Sequence, residues 1–180
     1  MSQRNSGYAR KKYDAYYTPE WVTKALLDSG YPFRGPVWEP ACGNGQVASV
    51  LKDRFAVVAT DVRGDLDFRA CDFAPRGVHS IITNPPYTNS ADFIRHAIEL
   101  MAPARGQVAM LLRTDYDHAA CRTYLFRDCP AFARKLVLMK RIVWFVDQAT
   151  GKPKASPSYN HAWYIWDHQH EGPATIGYAP

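Results

Sequence analysis

Val37-Trp38-Glu39-Pro40-Ala41-Cys42-Gly43-Asn44-Gly45 runs directly into residues 46–53, and this stretch decides the fold. Val37 and Trp38 open an apolar strand. Pro40 stops it, because proline has no N–H to give to a sheet and holds φ at about −65°. Gly43 and Gly45 supply a turn that a ligand can approach closely, since glycine has no side chain in the way. Val47, Val50 and Leu51 then recur at helical spacing, so residues 46–53 are expected to be a helix with those three turned inward. Strand, glycine turn and helix in that order predict an α/β class with a parallel sheet.

Read as the opening of a Rossmann-like unit, the stretch departs from the dinucleotide fingerprint, because no third glycine follows Gly43-x-Gly45 at the required interval. Ala56-Val57-Val58-Ala59-Thr60-Asp61 is a continuous apolar run ending in an acid, which predicts a second parallel strand buried on both faces. An acid in that place can accept hydrogen bonds from both hydroxyls of a ribose. Ser80-Ile81-Ile82-Thr83 predicts a third strand, stopped by Asn84-Pro85-Pro86-Tyr87, where two prolines in succession leave a rigid, polar, aromatic-tipped end. An ordinary strand-to-loop turn is the plain alternative for those four residues.

Outside these elements, Thr18 is expected to cap a helix that has Pro19 in its first position and Trp21, Val22, Ala25 and Leu26 along one face. Ser90 is expected to cap another, with Phe93, Ile94, Ala97, Ile98 and Met101 inward. Residues 107–113 read as a buried strand, 114–126 as a helix and 135–146 as containing one strand. His161-Ala162-Trp163-Tyr164-Ile165-Trp166 reads as the aromatic strand that closes the sheet.

The chain has 180 residues, 47% of them hydrophobic, which suits one well-packed α/β domain. Residues 1–12 are expected to be a basic tail, since Arg4, Arg10, Lys11 and Lys12 precede the first acid, Asp14, and residues 13–180 a single domain. The net charge of +5 suits an anionic partner. The four cysteines show no CxxC spacing, so no metal site is expected. No signal peptide and no run of about 20 apolar residues is present, so a cytoplasmic protein without a membrane partner is expected.

Two further groups of residues carry chemistry. Asp72-Phe73 sets an acid beside an aromatic, which suits the exocyclic amine and ring of an adenine, a turn acid and a core ring being the alternative. Residues 149–160 form a loop whose Lys152 and Lys154 suit a phosphate backbone or a lid, the alternative being a hairpin connection.

Taken together, over most of residues 13–167, these motifs resemble the S-adenosylmethionine-dependent amino-methyltransferases that act on DNA. Thr18-Pro19 resembles the family's N-terminal cofactor segment, Glu39-Pro40-Ala41-Cys42-Gly43-Asn44-Gly45 its cofactor loop, Asp61 its ribose acid and Asn84-Pro85-Pro86-Tyr87 its catalytic tetrapeptide. Their order looks like that of the adenine-N6 branch. The resemblance implies a Rossmann-like methyltransferase fold, a mostly parallel central sheet with helices on both faces. It implies S-adenosylmethionine as cofactor, DNA as partner, and transfer of a methyl group to adenine N6 of a flipped base.

For the cofactor it implies Asp61 on the ribose, Asp72 on the adenine amine and Phe73 on the adenine ring. Gly43 and Gly45 would lie beside the methionine portion, Thr18 at its carboxylate, and Glu39 at its amino group or orienting the loop. For the target base it implies Tyr87 on one side and Tyr159 with His161 as a second wall. At 180 residues, no separate counterpart is expected of the large target-recognition domain that many restriction-linked DNA methyltransferases carry. Cytosine N4, an RNA base or a protein glutamine amide remain alternative acceptors, and a non-catalytic nucleic-acid-binding module is a further one.

The tetrapeptide suits this chemistry because an adenine amine is a poor nucleophile, its lone pair being delocalised into the ring. The Asn84 side-chain oxygen and the Pro85 carbonyl can each accept one N6–H. That turns the lone pair toward the methyl donor and stabilises the positive charge that develops. Stacking on Tyr87 is worth about 1–3 kcal/mol, against a few kcal/mol to rotate a base out of a duplex.

Overall fold

The computed structural model describes residues 17–64, 66–144 and 159–180. The expected basic tail and the lysines at 152 and 154 lie outside the described residues. The elements run α1 (Glu20–Leu27), β1 (Val37–Glu39), α2 (Gln46–Leu51), β2 (Val57–Ala59), β3 (Ser80–Thr83), α3 (Ser90–Met101), β4 (Gln107–Arg113), β5 (Phe132–Leu138), β6 (His161–Asp167) and β7 (Thr175–Ala179). The strands make one sheet in the order β2-β1-β3-β4-β6-β5-β7. Six run the same way, and β6 runs against its neighbours β4 and β5. This is the mostly parallel sheet that the glycine turn predicts.

Helices cover both faces. Val22 and Leu26 of α1 and Val47, Val50 and Leu51 of α2 pack with Val37, Ile82, Leu111 and Trp163 on one face. Phe93, Ile94, Ala97 and Met101 of α3 pack with Trp38, Ile81, Val108 and Tyr164 on the other. Alternation along each strand divides the side chains between the two cores, and each fully buried Leu, Ile or Val contributes about 1.5–3 kcal/mol.

A polar cluster pins the end of the sheet at which β3 and β4 begin and β6 stops. The Gln107 side chain accepts from the Arg34 N–H (2.8 Å) and the Ser80 hydroxyl (3.0 Å), and donates to Asp167 (2.8 Å). Arg34 completes it with an ion pair to Asp167 at 3.0 Å. Every member has a partner, so the cluster fixes the register of β3, β4 and β6 at little desolvation cost.

Several expectations are corrected. Residues 57–59 are not buried on both faces: β2 is the outer strand, and Val58 and Ala59 are exposed. An apolar run reports burial of a strand only when strands flank it on both sides. Pro19, not Thr18, is the residue before α1, and no side chain caps that helix. Ser90 is the first residue of α3, and its hydroxyl bonds Tyr116 at 2.7 Å.

Residues 114–126 form two 3-10 turns, Tyr116–His118 and Ala120–Leu125, in place of a helix. The Thr114 carbonyl there is taken by the Tyr164 hydroxyl (3.0 Å) and the Lys135 ammonium (2.8 Å), which removes it from any helical ladder. β5 begins at Phe132, earlier than expected. The aromatic strand β6 lies inside the sheet, and β7 forms the edge beyond β5. β7 gave no apolar signal because only Gly177 and Ala179 in it are buried. No helix among the described residues is long and apolar enough to cross a membrane.

Gly106 lets the chain enter β4 against α3. A Cβ there would meet the Met101 methyl and lie 2.9 Å from the backbone oxygen of His79. Gly106→Ala is expected to lose about 1–3 kcal/mol of stability through overpacking, measured as a lower urea midpoint with an unchanged denaturant slope.

Candidate active site

β2, β1 and β3 are parallel neighbours, so their carboxyl ends open at one edge of the sheet, the edge at which open α/β sheets bind ligands. The loop after β1 stays stitched to the end of β2: Thr60 N–H donates to the Glu39 carbonyl and Cys42 N–H to the Thr60 carbonyl, each at 2.9 Å. Gly43 (φ +57°) and Gly45 (φ +82°) take left-handed conformations that a residue with a Cβ adopts only under strain. Gly45 then leads into α2.

Thr18, Glu39, Cys42, Gly43, Gln46 and Asn84 line one small cavity of about 30 Å³. That space suits a single amino or methyl group. The exposed backbone at Gly43 and Asn44 is where the remainder of a larger ligand would lie. The Asn84 amide nitrogen donates to the Thr18 hydroxyl at 3.1 Å, which ties the segment before α1 to the end of β3. This bond turns the amide nitrogen toward Thr18 and its oxygen to the opposite side.

Glu39 is 1% exposed. Burial pushes its carboxyl up to about 8, a bond from the Ala48 N–H opposing the shift and the nearby Asp61 charge adding to it. Glu39 Oε2 and Gln46 Oε1 are buried with no hydrogen-bond partner among the described residues. Gln46 Oε1, and Glu39 Oε2 once its carboxyl ionises, are acceptors at one cavity, which an ammonium with its three donors can satisfy. They fit the amino-acid end of S-adenosylmethionine.

Asp61 follows β2 and is held from two sides. Its carboxylate accepts from the Gly43 N–H at 2.9 Å and forms an ion pair with Arg63 at 2.7 Å. Burial alone would raise its pKa, but the Arg63 guanidinium and the two backbone N–H groups hold it below the usual carboxylate range. Asp72 and Phe73 are not brought to the Thr18–Asn84 cavity. They line a separate cavity of about 450 Å³ between residues 71–78 and the last turns of α3, and Phe73 is 79% exposed.

Beyond β3 the same edge becomes aromatic and basic. Pro85 is buried, and Pro86 and Tyr87 are half-buried. The Arg113 guanidinium lies 3.9 Å over the Tyr159 ring, Lys140 lies 5.1 Å over Trp21, and Arg141 donates to Asn160 at 2.9 Å. His161 is buried edge-on to Trp144 at 5.2 Å between centroids. Burial first, then the Arg113 charge, push its imidazole down to about 4, so it is neutral at pH 7.

Sequence reasoning missed Tyr17, Gln46, Arg63, Arg113 and Trp144. Arg63 lies two places after Asp61 and Tyr17 one place before Thr18, a signal that only the turn geometry makes readable. Among the described residues no three His, Cys, Asp or Glu side chains group as a metal site.

No protein-family model and no curated protein matches the chain. Solved structures do. A type I restriction-modification methyltransferase subunit from Streptococcus thermophilus superposes with a TM-score of 0.59 at 13% identity, covering 90% of this chain and 47% of that one. The M protein of the type I restriction enzyme EcoKI gives 0.56 at 13% identity, covering 91% and 48%. A Listeria monocytogenes protein provisionally named a class I S-adenosylmethionine-dependent methyltransferase gives 0.57 at 12% identity, covering 93% and 67%. The chain thus spans about half the length of the two type I subunits.

The buried Glu39 generates a prediction. A carboxyl whose pKa rises from 4.5 to about 8 on folding contributes stability that is complete below pH 4.5 and is lost as pH rises toward about 8. The difference in unfolding free energy between wild type and Glu39→Gln should therefore move against the wild type across that window and level off above it. Urea titrations at several pH values measure this, and a flat difference contradicts the shift. What the architecture and its structural neighbours establish together is a Rossmann-like methyltransferase fold.

Proposed function

We propose that the protein transfers a methyl group from S-adenosylmethionine to the N6 amine of adenine in DNA. The observation that carries the reading is the hydrogen bond from Asn84 to Thr18 at 3.1 Å, which holds the tetrapeptide amide in one orientation beside the cavity of Glu39 and Gly43. The cofactor supplies an electrophilic methyl group on sulfur. Glu39 and Gln46 hold its amino group, the Gly43 and Gly45 backbone passes its methionine portion, and Asp61 takes the ribose diol. Thr18 orients Asn84 and meets the ligand's carboxylate. Asn84 and Pro85 accept hydrogen bonds from the two N–H groups of the target amine, which directs its lone pair and stabilises the charge that grows on nitrogen, the surplus proton passing to water.

Tyr87 supports the base from one face. Tyr159 and the neutral His161 would supply the second wall of the base pocket, and the cations at Arg113, Lys140 and Arg141 suit flanking phosphates. Asp72 and Phe73 line a separate cavity and take no part in this reading, while the lysines at 152 and 154 suit the DNA backbone. One structural neighbour is a restriction-modification methyltransferase subunit and another the M protein of a restriction enzyme, which favours DNA over the alternative acceptors. Asn84 in place of the serine that the cytosine-N4 relatives use favours adenine.

Incubating the protein with methyl-labelled S-adenosylmethionine and unmethylated DNA, RNA or protein lysate tests the reading. Label in N6-methyladenine after digestion of the DNA to nucleosides is expected; label confined to N4-methylcytosine, RNA or protein overturns the substrate. Asn84→Ala should lower kcat by about 10²–10³-fold, the scale for deleting one group that stabilises transition-state charge. Thr18→Val, which removes only the orienting hydroxyl, should cost less.

A further inference from the structure

We infer that Arg63 competes with the ribose diol for Asp61 and thereby sets the affinity of this site for ribosides. The inference rests on the reading of Asp61 as the ribose acid. A carboxylate offers about four lone-pair directions, and four donors already meet those of Asp61. They are the Gly43 N–H at 2.9 Å, the Arg63 N–H at 3.0 Å, Arg63 Nε at 2.7 Å and Arg63 Nη2 at 3.3 Å. The two backbone donors belong to the loops themselves. The other two come from a planar fork, and the two hydroxyls of a cis-diol present a comparable pair of donors. A ribose therefore replaces the guanidinium at Asp61.

The arm lies between the parts that the ligand must reach. Arg63 Nη2 stands 3.6 Å from where a Cβ on Gly43 would be, and the Arg63 side chain also bonds the Tyr17 side chain. Arg63 can nevertheless leave cheaply. It belongs to a three-residue 3-10 turn with no buried residue, and its side chain is 37% exposed. Leaving breaks a partly exposed ion pair, which salt weakens.

Titrations of adenosine, 2′,3′-dideoxyadenosine and S-adenosylmethionine into wild type, Arg63→Met and Arg63→Lys test this. Arg63→Met keeps the aliphatic stem and should tighten adenosine roughly twofold to fivefold, the range of exposed ion pairs, with no change for the dideoxy compound. Arg63→Lys, charged but without the fork, should fall between. Raising sodium chloride from about 0.05 to 0.5 M should improve adenosine binding to wild type and leave Arg63→Met unchanged, since only the wild type has the ion pair to screen.

Equal tightening of both nucleosides means that Arg63 only fills space and overturns the inference. Weaker adenosine binding in both variants overturns it by making Arg63 a ligand contact. In either case S-adenosylmethionine binding by the wild type leaves the cofactor reading standing. Failure of all three ligands to bind wild type and variants that unfold cooperatively sinks the cofactor reading, and the inference with it.

Discussion

The structure depends on β1 being a three-residue strand paired in parallel on both sides. Val37 stands opposite Val57 on one side and Ser80 on the other, and Trp38 opposite Val58 and Ile81. With so few residues the register has no slack. A slip of one place would turn Trp38 out of the core that holds Phe68 and Phe93, and Val37 out of the one that holds Leu26 and Val47. Because both neighbours are locked to β1, the loop at Gly43, the acid at Asp61 and the tetrapeptide at Asn84 must emerge side by side. The Thr18 hydroxyl, bonded to Asn84, then brings the start of α1 to the same place.

Charge is sorted along that edge. On the β1–β2 side stand two carboxyl groups in opposite states, Glu39 pushed up by burial and Asp61 held down by Arg63 and backbone N–H groups. The difference follows from partners, since Glu39 Oε2 has none among the described residues while Asp61 has four donors. On the β4–β5 side the cations at Arg113 and Lys140 lie over aromatic rings, and the imidazole at His161 is neutral. An edge with acids at one end and cations at the other can separate a ligand bearing an amino group and a riboside from one bearing phosphates.

Legibility in the sequence followed how local each signal was. The strand, glycine turn and helix of residues 37–51 lie next to each other in the chain, and proline and glycine act on their own backbone, so that unit could be read directly. The helices at Glu20–Leu27 and Ser90–Met101 carried apolar faces of the right period, though Thr18 and Ser90 did not cap them as expected: Pro19 stands before the first and Ser90 lies inside the second, and their hydroxyls meet Asn84 and Tyr116. The 3-10 turns after β4 could not be read, since what takes the Thr114 carbonyl is Lys135 and Tyr164, 21 and 50 residues away.

What the sequence by itself determined is the set of elements and the chemistry at their ends: apolar strands stopped by Pro40 and by Pro85-Pro86, a glycine loop, and acids and an amide placed at strand ends. Tertiary structure alone decided which of these meet. It brought Thr18, Glu39, Gly43 and Asn84 to one cavity and took Asp72 and Phe73 to another. It also made β2 an outer strand, set β6 inside the sheet and filled Asp61 with Arg63. The reason is physical. Local sequence governs backbone dihedrals and the side to which apolar groups turn, whereas the order of strands and the partner of each polar atom are settled only when distant segments compete for the same neighbour.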